Sequence, residues 1–287
     1  MPSTQNQDTK MLTKILDIPE VLAGYDAVAA LYPYTPSLSH WRAWEYAAYK
    51  HCDIAGRILD VGCGDGLYFK LIWPKANNVV GVDLDPVAVE KGRSSGVYRE
   101  IHLGAADSIP EADRSFDNAF ANCSLEHMDR IDQVLSEISR CLKVNGKLVC
   151  SVVSNRFVEW SLLSKLVKEA GHDRAAEMLQ SQFLNYHHLA NPLPVADWVS
   201  SFKKAGFELE LHIPILPKYN SGIFLLMDSL WHVERGDQGE MGDVIHPFLA
   251  NNPRFPKAFR KIFEGLMDME NDWHDCSGAV FSLRKVR

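Results

Sequence analysis

The stretch Ile58-Leu59-Asp60-Val61-Gly62-Cys63-Gly64-Asp65-Gly66 decides the fold. Arg57 to Val61 is a short run of strand character, and three glycines then alternate with other residues. Glycine admits left-handed backbone angles and a close approach to a ligand, so the run reads as a strand entering a ligand-binding turn. Residues 66–73 follow as a short helix that Pro74 stops. Val79-Val80-Gly81-Val82-Asp83 is a second buried strand. Asp85-Pro86 then supplies an N-cap and a first helical position for a helix reaching about Arg93.

The same rhythm continues outward. Phe116 to Asn122 reads as a strand, and Ile131, Val134, Leu135, Ile138 and Leu142 share one helical face. Asn145-Gly146 is expected to close that helix before a valine-rich strand, Lys147 to Val153. Strands alternating with helices predict an α/β fold with a doubly wound, mostly parallel seven-stranded sheet. Beyond residue 154 the pattern loosens. Residues 155–184 read as two amphipathic helices, Val195 to Ala205 as another helix, and Gly206 to Ile213 and Gly278 to Val286 as strands. The expected organisation is a helical cap (1–54) and an α/β core (55–155, continued at 195–213 and 276–287). Helical lid insertions at 156–194 and 214–275 complete it.

The turn discriminates between ligands. A dinucleotide fingerprint needs a third glycine at position 67, which is Leu, and no Gly-Lys-Ser/Thr follows for a phosphate loop. Asp60 and Asp65 flank the turn, and a carboxylate 4 Å from a pyrophosphate is repelled by roughly 1–4 kcal/mol. A ligand carrying positive charge suits these acids. Asp83, at the end of the second strand, is placed to accept both hydroxyls of a ribose, a contact that adenosyl ligands and NAD share.

These residues resemble the class I S-adenosylmethionine-dependent methyltransferases. Ile58 to Gly66 is similar to that family's first motif, and Val80-Gly81-Val82-Asp83-Leu84-Asp85 to its second. Ser115-Phe116-Asp117-Asn118-Ala119-Phe120, leading into Leu125-Glu126-His127, resembles the fourth strand and its turn. Leu142 to Leu148 resembles the entry to the fifth strand, and Ala205 to Leu209 the start of the sixth. The resemblance implies S-adenosyl-L-methionine as cofactor, with Gly62 and Gly64 at the methionine moiety and Asp60 and Cys63 also among the cofactor-binding residues. It further implies Asp83 on the ribose, Leu84 on the adenine, Asn122 and Cys123 near the sulfonium, and Glu126-His127 closing the pocket. The family often has Asp-Ala after the third strand, where this chain has Ala105-Ala106; either Asp107, beside Ala106, or backbone groups are expected to take that role.

Methyl transfer needs an aligned nucleophile and, for a protonated acceptor, a base. His127, His187 and His188 are the candidates, the last two in a Tyr186-His187-His188 run of the inserted segment. Tyr25, Tyr32, Tyr34, Trp41, Trp44, Tyr46 and Tyr49 crowd one segment, most of them suited to packing. Arg42, among them, is a candidate partner for the methionine carboxylate.

Composition sets the remaining bounds. The 287 residues carry 30 Lys+Arg against 37 Asp+Glu, a net charge of −7, and no basic run, so nucleic acid is not an expected partner. No apolar stretch approaches the roughly 20 residues that span a bilayer. Met1 to Lys10 lacks the features of a secretory leader. The six cysteines show no metal or disulfide spacing and read as reduced residues of a cytoplasmic monomer or homodimer; no metal is expected. The reading is a methyltransferase acting on oxygen or nitrogen of a small-molecule acceptor in biosynthesis. The alternatives are a repurposed S-adenosylmethionine-binding protein, transfer from a decarboxylated adenosyl donor, and an NAD(P)-dependent oxidoreductase.

Overall fold

The computed structural model describes residues 12–286, so the polar stretch Met1 to Lys10 lies outside it. In chain order its elements are β1 (Leu12–Thr13), α1 (Ile18–Val28), α2 (Pro36–Tyr49), β2 (Ile58–Val61), α3 (Leu67–Ile72), β3 (Val79–Asp83), α4 (Pro86–Ser94), β4 (Glu100–Leu103) and β5 (Phe116–Asn122). Then come α5 (Ile131–Cys141), β6 (Leu142–Val153), α6 (Asn155–Glu159), α7 (Leu163–Glu169), α8 (Asp173–His187), α9 (Val195–Lys204) and β7 (Phe207–Pro217). The last are α10 (Lys218–Trp231), α11 (Gly242–Ala250), α12 (Phe255–Asp268) and β8 (Cys276–Lys285).

The strands form one sheet of order β1-β7-β8-β6-β5-β2-β3-β4. Among the described residues, β8 is the one strand that runs antiparallel, between β6 and β7. The expected doubly wound, mostly parallel sheet is therefore present, with eight strands where seven were expected. The additional one is β1, two residues pairing parallel with Leu211 and His212 of β7. Two residues are too few to show a strand period, which is why the sequence hid it.

Burial explains the layers. All four residues of β2 are inaccessible, as a central parallel strand requires. One face packs against α1, α2, α10 and α12 through Tyr25, Trp44, Leu225 and Phe263. The other packs against α5 and α9 through Leu135, Ile138, Trp198 and Phe202. Asp85 caps α4 as its sequence suggests, accepting from Val87 N at 2.8 Å.

Two boundaries differ from expectation. α5 ends at Cys141, and Asn145-Gly146 sits within β6, where the register against β5 slips between Phe116 and Asn118. Asn145 has φ +65°, and a Cβ on Gly146 would lie 2.7 Å from Asp117 O. An Asn-Gly pair signals an irregular backbone, which a strand bulge needs as much as a turn does. The segment expected as two helices is three, α6 to α8, because Ser161 and Gly171 fall at their junctions.

Candidate functional site

In strand order the chain runs outward through β2, β3 and β4, then returns to the other side of β2 with β5. That reversal opens a crevice above the carboxyl ends of β2 and β5, where doubly wound sheets hold ligands. Gly62 N and Cys63 N donate to Val82 O, and Gly64 N donates to Asp83 Oδ2 at 2.8 Å. Asp83 Oδ1 accepts from Asp85 N at 2.9 Å, so one carboxylate sets two turns. Gly62 has φ +69°, and a Cβ there would meet Ser124 Cβ at 2.4 Å. Gly64 has φ +56°, yet its Cβ position faces open space with nothing within 4 Å. The turn thus needs glycine for backbone angle at both places and for room at the first.

A first cavity of about 550 Å³ opens beside this turn. Of the residues named from sequence, Gly62, Asp83, Leu84, Ala106, Asp107, Cys123, His127 and His188 line it. Leu84 is 71% exposed at its edge, a free apolar face for a flat ring. Asp107 pairs with Arg130, the only Arg or Lys in the lining. A pyrophosphate would find no uncommitted cation among these residues, and it would meet Asp83 and Asp129 as well. An adenosyl sulfonium fits the same wall.

Several expected residues lie elsewhere. Asp60 is buried behind the turn, where its Oδ2 accepts from Tyr98 OH at 2.7 Å. Burial, with Asp83 adding to it, pushes the Asp60 carboxyl up to about 7 against the opposing Tyr98 bond. The Cys63 thiol turns away into a small cluster with Val89 and Ile101. Asn122 Oδ1 accepts from Tyr49 OH at 2.8 Å. Arg42 does not face the first cavity; its Nη1 donates to Glu45 Oε2 at 2.6 Å. The side chains of Asp60, Cys63, Asn122 and Arg42 thus do not line the first cavity.

A second cavity, of about 570 Å³, adjoins the first and shares Cys123 and His127 with it. Trp41 of α2, Phe157 of α6, and Phe224 and Trp231 of α10 supply apolar walls. Glu126, His187, Asp228 and His232 supply polar groups. His187 Nε2 lies 3.0 Å from Asp228 Oδ2, and His232 Nδ1 contacts Glu240 Oε2 at 2.8 Å. His188 is on the other side of this ridge, largely exposed and 3.6 Å from Asp129. The adjacent histidines are thus separated: His187 faces the second cavity and His188 the first.

At the junction Cys123 holds φ +44°, unusual for a residue with a side chain. Its Sγ accepts from Trp41 Nε1 at 3.1 Å and donates to Glu45 Oε1 at 2.9 Å. Ser151 Oγ donates to the same Glu45 oxygen at 2.6 Å. Glu45 is wholly buried, so α2 is fastened to the ends of β5 and β6 through one carboxylate. His127 is kept below the ordinary imidazole range chiefly by burial, with the His188 and His187 carbonyls pulling the other way. Sequence reasoning missed Tyr98, Glu45, Asp228 and His232, since no local pattern marks them.

Away from both cavities, Glu100, His102 and Glu111 bring possible ligand atoms within 4.8 Å of one another. Arg57 occupies both Glu111 oxygens, at 3.2 and 3.1 Å. Among the described residues no helix is long and apolar enough to cross a membrane.

Residues 59–150 match the methyltransferase domain family. They therefore carry a methyltransferase domain, and the protein is an S-adenosylmethionine-dependent methyltransferase, an enzyme whose cofactor is S-adenosyl-L-methionine. A demethylmenaquinone methyltransferase of Symbiobacterium thermophilum is 27% identical over 235 residues, 72% of this chain and 88% of that protein. A ubiquinone biosynthesis O-methyltransferase of Xanthomonas oryzae pv. oryzae is 27% identical over 55% of this chain, which spans 65% of that relative. Among solved structures, a SAM-dependent methyltransferase and possible histamine N-methyltransferase of Thermotoga maritima shares the fold. Its TM-score is 0.53 at 18% identity, covering 93% of this chain and 98% of that one.

Asp83→Ala removes the acceptor that fixes Gly64 as well as the group facing the cavity. The expected result is cofactor affinity weakened by roughly 1.5–3 kcal/mol, the worth of charge-assisted hydrogen bonds. Calorimetric titration with S-adenosylhomocysteine measures it, and an unchanged Kd removes Asp83 from the site.

Proposed function

We propose that this enzyme transfers a methyl group to an oxygen or nitrogen of a small biosynthetic intermediate held in the second cavity. The observation that carries this reading is the meeting of the two cavities at Cys123 and His127. When bound, S-adenosyl-L-methionine supplies an electrophilic methyl on a sulfonium. Asp83 would hold its ribose, Leu84 and Ala106 the adenine faces with Asp107 at the ring's edge, and the Gly62 backbone, with the open space beside Gly64, its methionine part. The groups at the junction then line up the acceptor atom, and positioning supplies much of the rate.

His127 is the proton acceptor in this reading, because it lines both cavities and burial keeps its ring neutral. His187, beside Asp228, orients the acceptor from the opposite wall. A cavity of about 570 Å³ lies in the usual range for small-molecule sites, and aromatic walls suit an apolar body. The relatives named above that act in quinone biosynthesis support a small-molecule acceptor.

The purified protein, incubated with methyl-labelled cofactor, should label low-molecular-weight phenols or amines from a metabolite extract. It should leave added protein and RNA unlabelled. Label confined to the macromolecules would overturn the reading.

A further inference from the structure

Glu126 stands apart among the acids of the second cavity. It lies in the short turn after β5, is wholly inaccessible, and neither carboxyl oxygen has a hydrogen-bond partner. Buried carboxyls are ordinarily satisfied, so an orphaned one on a cavity wall marks where a donor belongs. Glu126 also sits between Cys123 and His127, the two residues shared by both cavities.

We infer that Glu126 is the recognition point for an ammonium group, and that the acceptor is an apolar molecule carrying a primary or secondary amine that becomes methylated. This rests on the small-molecule reading above and narrows it to nitrogen. The lining contains one Arg or Lys, Arg42, whose charge is already committed to Glu45. An anionic acceptor would therefore meet Glu126 and Asp228 with no free cation to offset them. A cationic one gains Glu126 as its partner and the ring faces of Trp41, Phe157, Phe224 and Trp231 as its surroundings.

The step balances as follows. The ammonium, paired with the Glu126 carboxylate, gives one proton to the His127 imidazole. The freed nitrogen lone pair forms the N–C bond to the methyl as the C–S bond breaks, its electrons remaining on sulfur. The nitrogen ends positively charged, still facing Glu126, and the proton on His127 leaves to solvent.

In the empty site burial pushes Glu126 up to about 8, opposed first by its own backbone N–H, with Glu45 adding to it and Cys123 and Arg42 opposing. His127 on the same turn and His187 from α8 face the cavity beside it. An arriving ammonium favours the ionised carboxylate, so amine binding should release the Glu126 proton.

The test is calorimetric titration of the S-adenosylhomocysteine-loaded protein with 2-phenylethylamine, 2-phenylethanol and phenylacetate. These probes share a size and differ in the terminal group. The amine should bind at least about tenfold more tightly than the other two, and its heat should depend on the buffer as proton release requires. Glu126→Gln should keep its S-adenosylhomocysteine affinity and lose both the preference and the proton release. Equal or tighter binding of the alcohol or acid, no binding of the amine, or a preference that survives in Glu126→Gln overturns the inference. If glutamine does not fold there, the order of the three probes and the proton release in the wild-type decide. Failure of S-adenosylhomocysteine to bind the wild-type would instead strike the cofactor reading.

Discussion

Replacing Glu45 with alanine is expected to lower the stability of the protein by ~3–5 kcal/mol, because it strips a buried arginine of its partner. Glu45 is inaccessible and receives Arg42 Nη1 at 2.6 Å, Ser151 Oγ at 2.6 Å and Cys123 Sγ at 2.9 Å. Its removal leaves a guanidinium, a hydroxyl and a thiol without their acceptor in a region water hardly reaches. The side chain of Arg42 is only 19% exposed, so solvent recovers little of the loss. Urea unfolding followed by circular dichroism measures the effect. A second variant isolates the cause: Arg42→Met combined with Glu45→Leu should recover most of the stability, since a buried pair exchanged for apolar groups is often neutral. A loss below about 1 kcal/mol, the size of an exposed pair, would show that Glu45 does not fasten α2. The single alanine variant should also lose turnover, for Trp41 and Cys123 depend on the same anchor.

His127→Gln is expected to lower kcat by about 100- to 10,000-fold, the usual contribution of a general base. S-adenosylhomocysteine affinity should stay at the wild-type value. Glutamine keeps a similar shape and cannot accept a full proton, so the loss separates chemistry from packing. The pH profile carries the sign. Burial holds His127 below the ordinary imidazole range, so the ring stays neutral as the pH falls through that range. The wild-type kcat should therefore remain level where a free imidazole would already be protonated, and drop only at more acid pH. A profile breaking in the ordinary imidazole range would assign the base to another histidine, and an unaltered kcat in the variant would remove His127 from the chemistry.

The cofactor half of the molecule was legible because its parts are local. Val79 to Asp83, the Asp85-Pro86 cap and Phe116 to Asn122 each declare themselves within about ten residues, and the structure keeps all three. The other cavity drew walls from α2, α6, α8 and α10, and no spacing rule connects Trp41 with Phe157 or Asp228 with His187. Arg42 shows the cost. From sequence it is a free cation near the site, while the structure commits it to a neighbour three residues on. Asp60 was read as an acid flanking the turn; it lies in β2, and Tyr98, 38 residues later, donates to its carboxylate.

This division of labour along the chain has an engineering consequence. Apart from His188, the first cavity is enclosed by residues between 62 and 134, a continuous stretch close to the matched domain. The second takes its aromatic walls and facing polar groups from helices outside that stretch, which contributes only Cys123, Glu126 and His127. Grafting helices α6 to α8 and α10 from one relative to another should transplant acceptor choice while the donor chemistry stays with the recipient, whose Glu45 anchor and its partners Arg42, Cys123 and Ser151 lie outside the grafted helices.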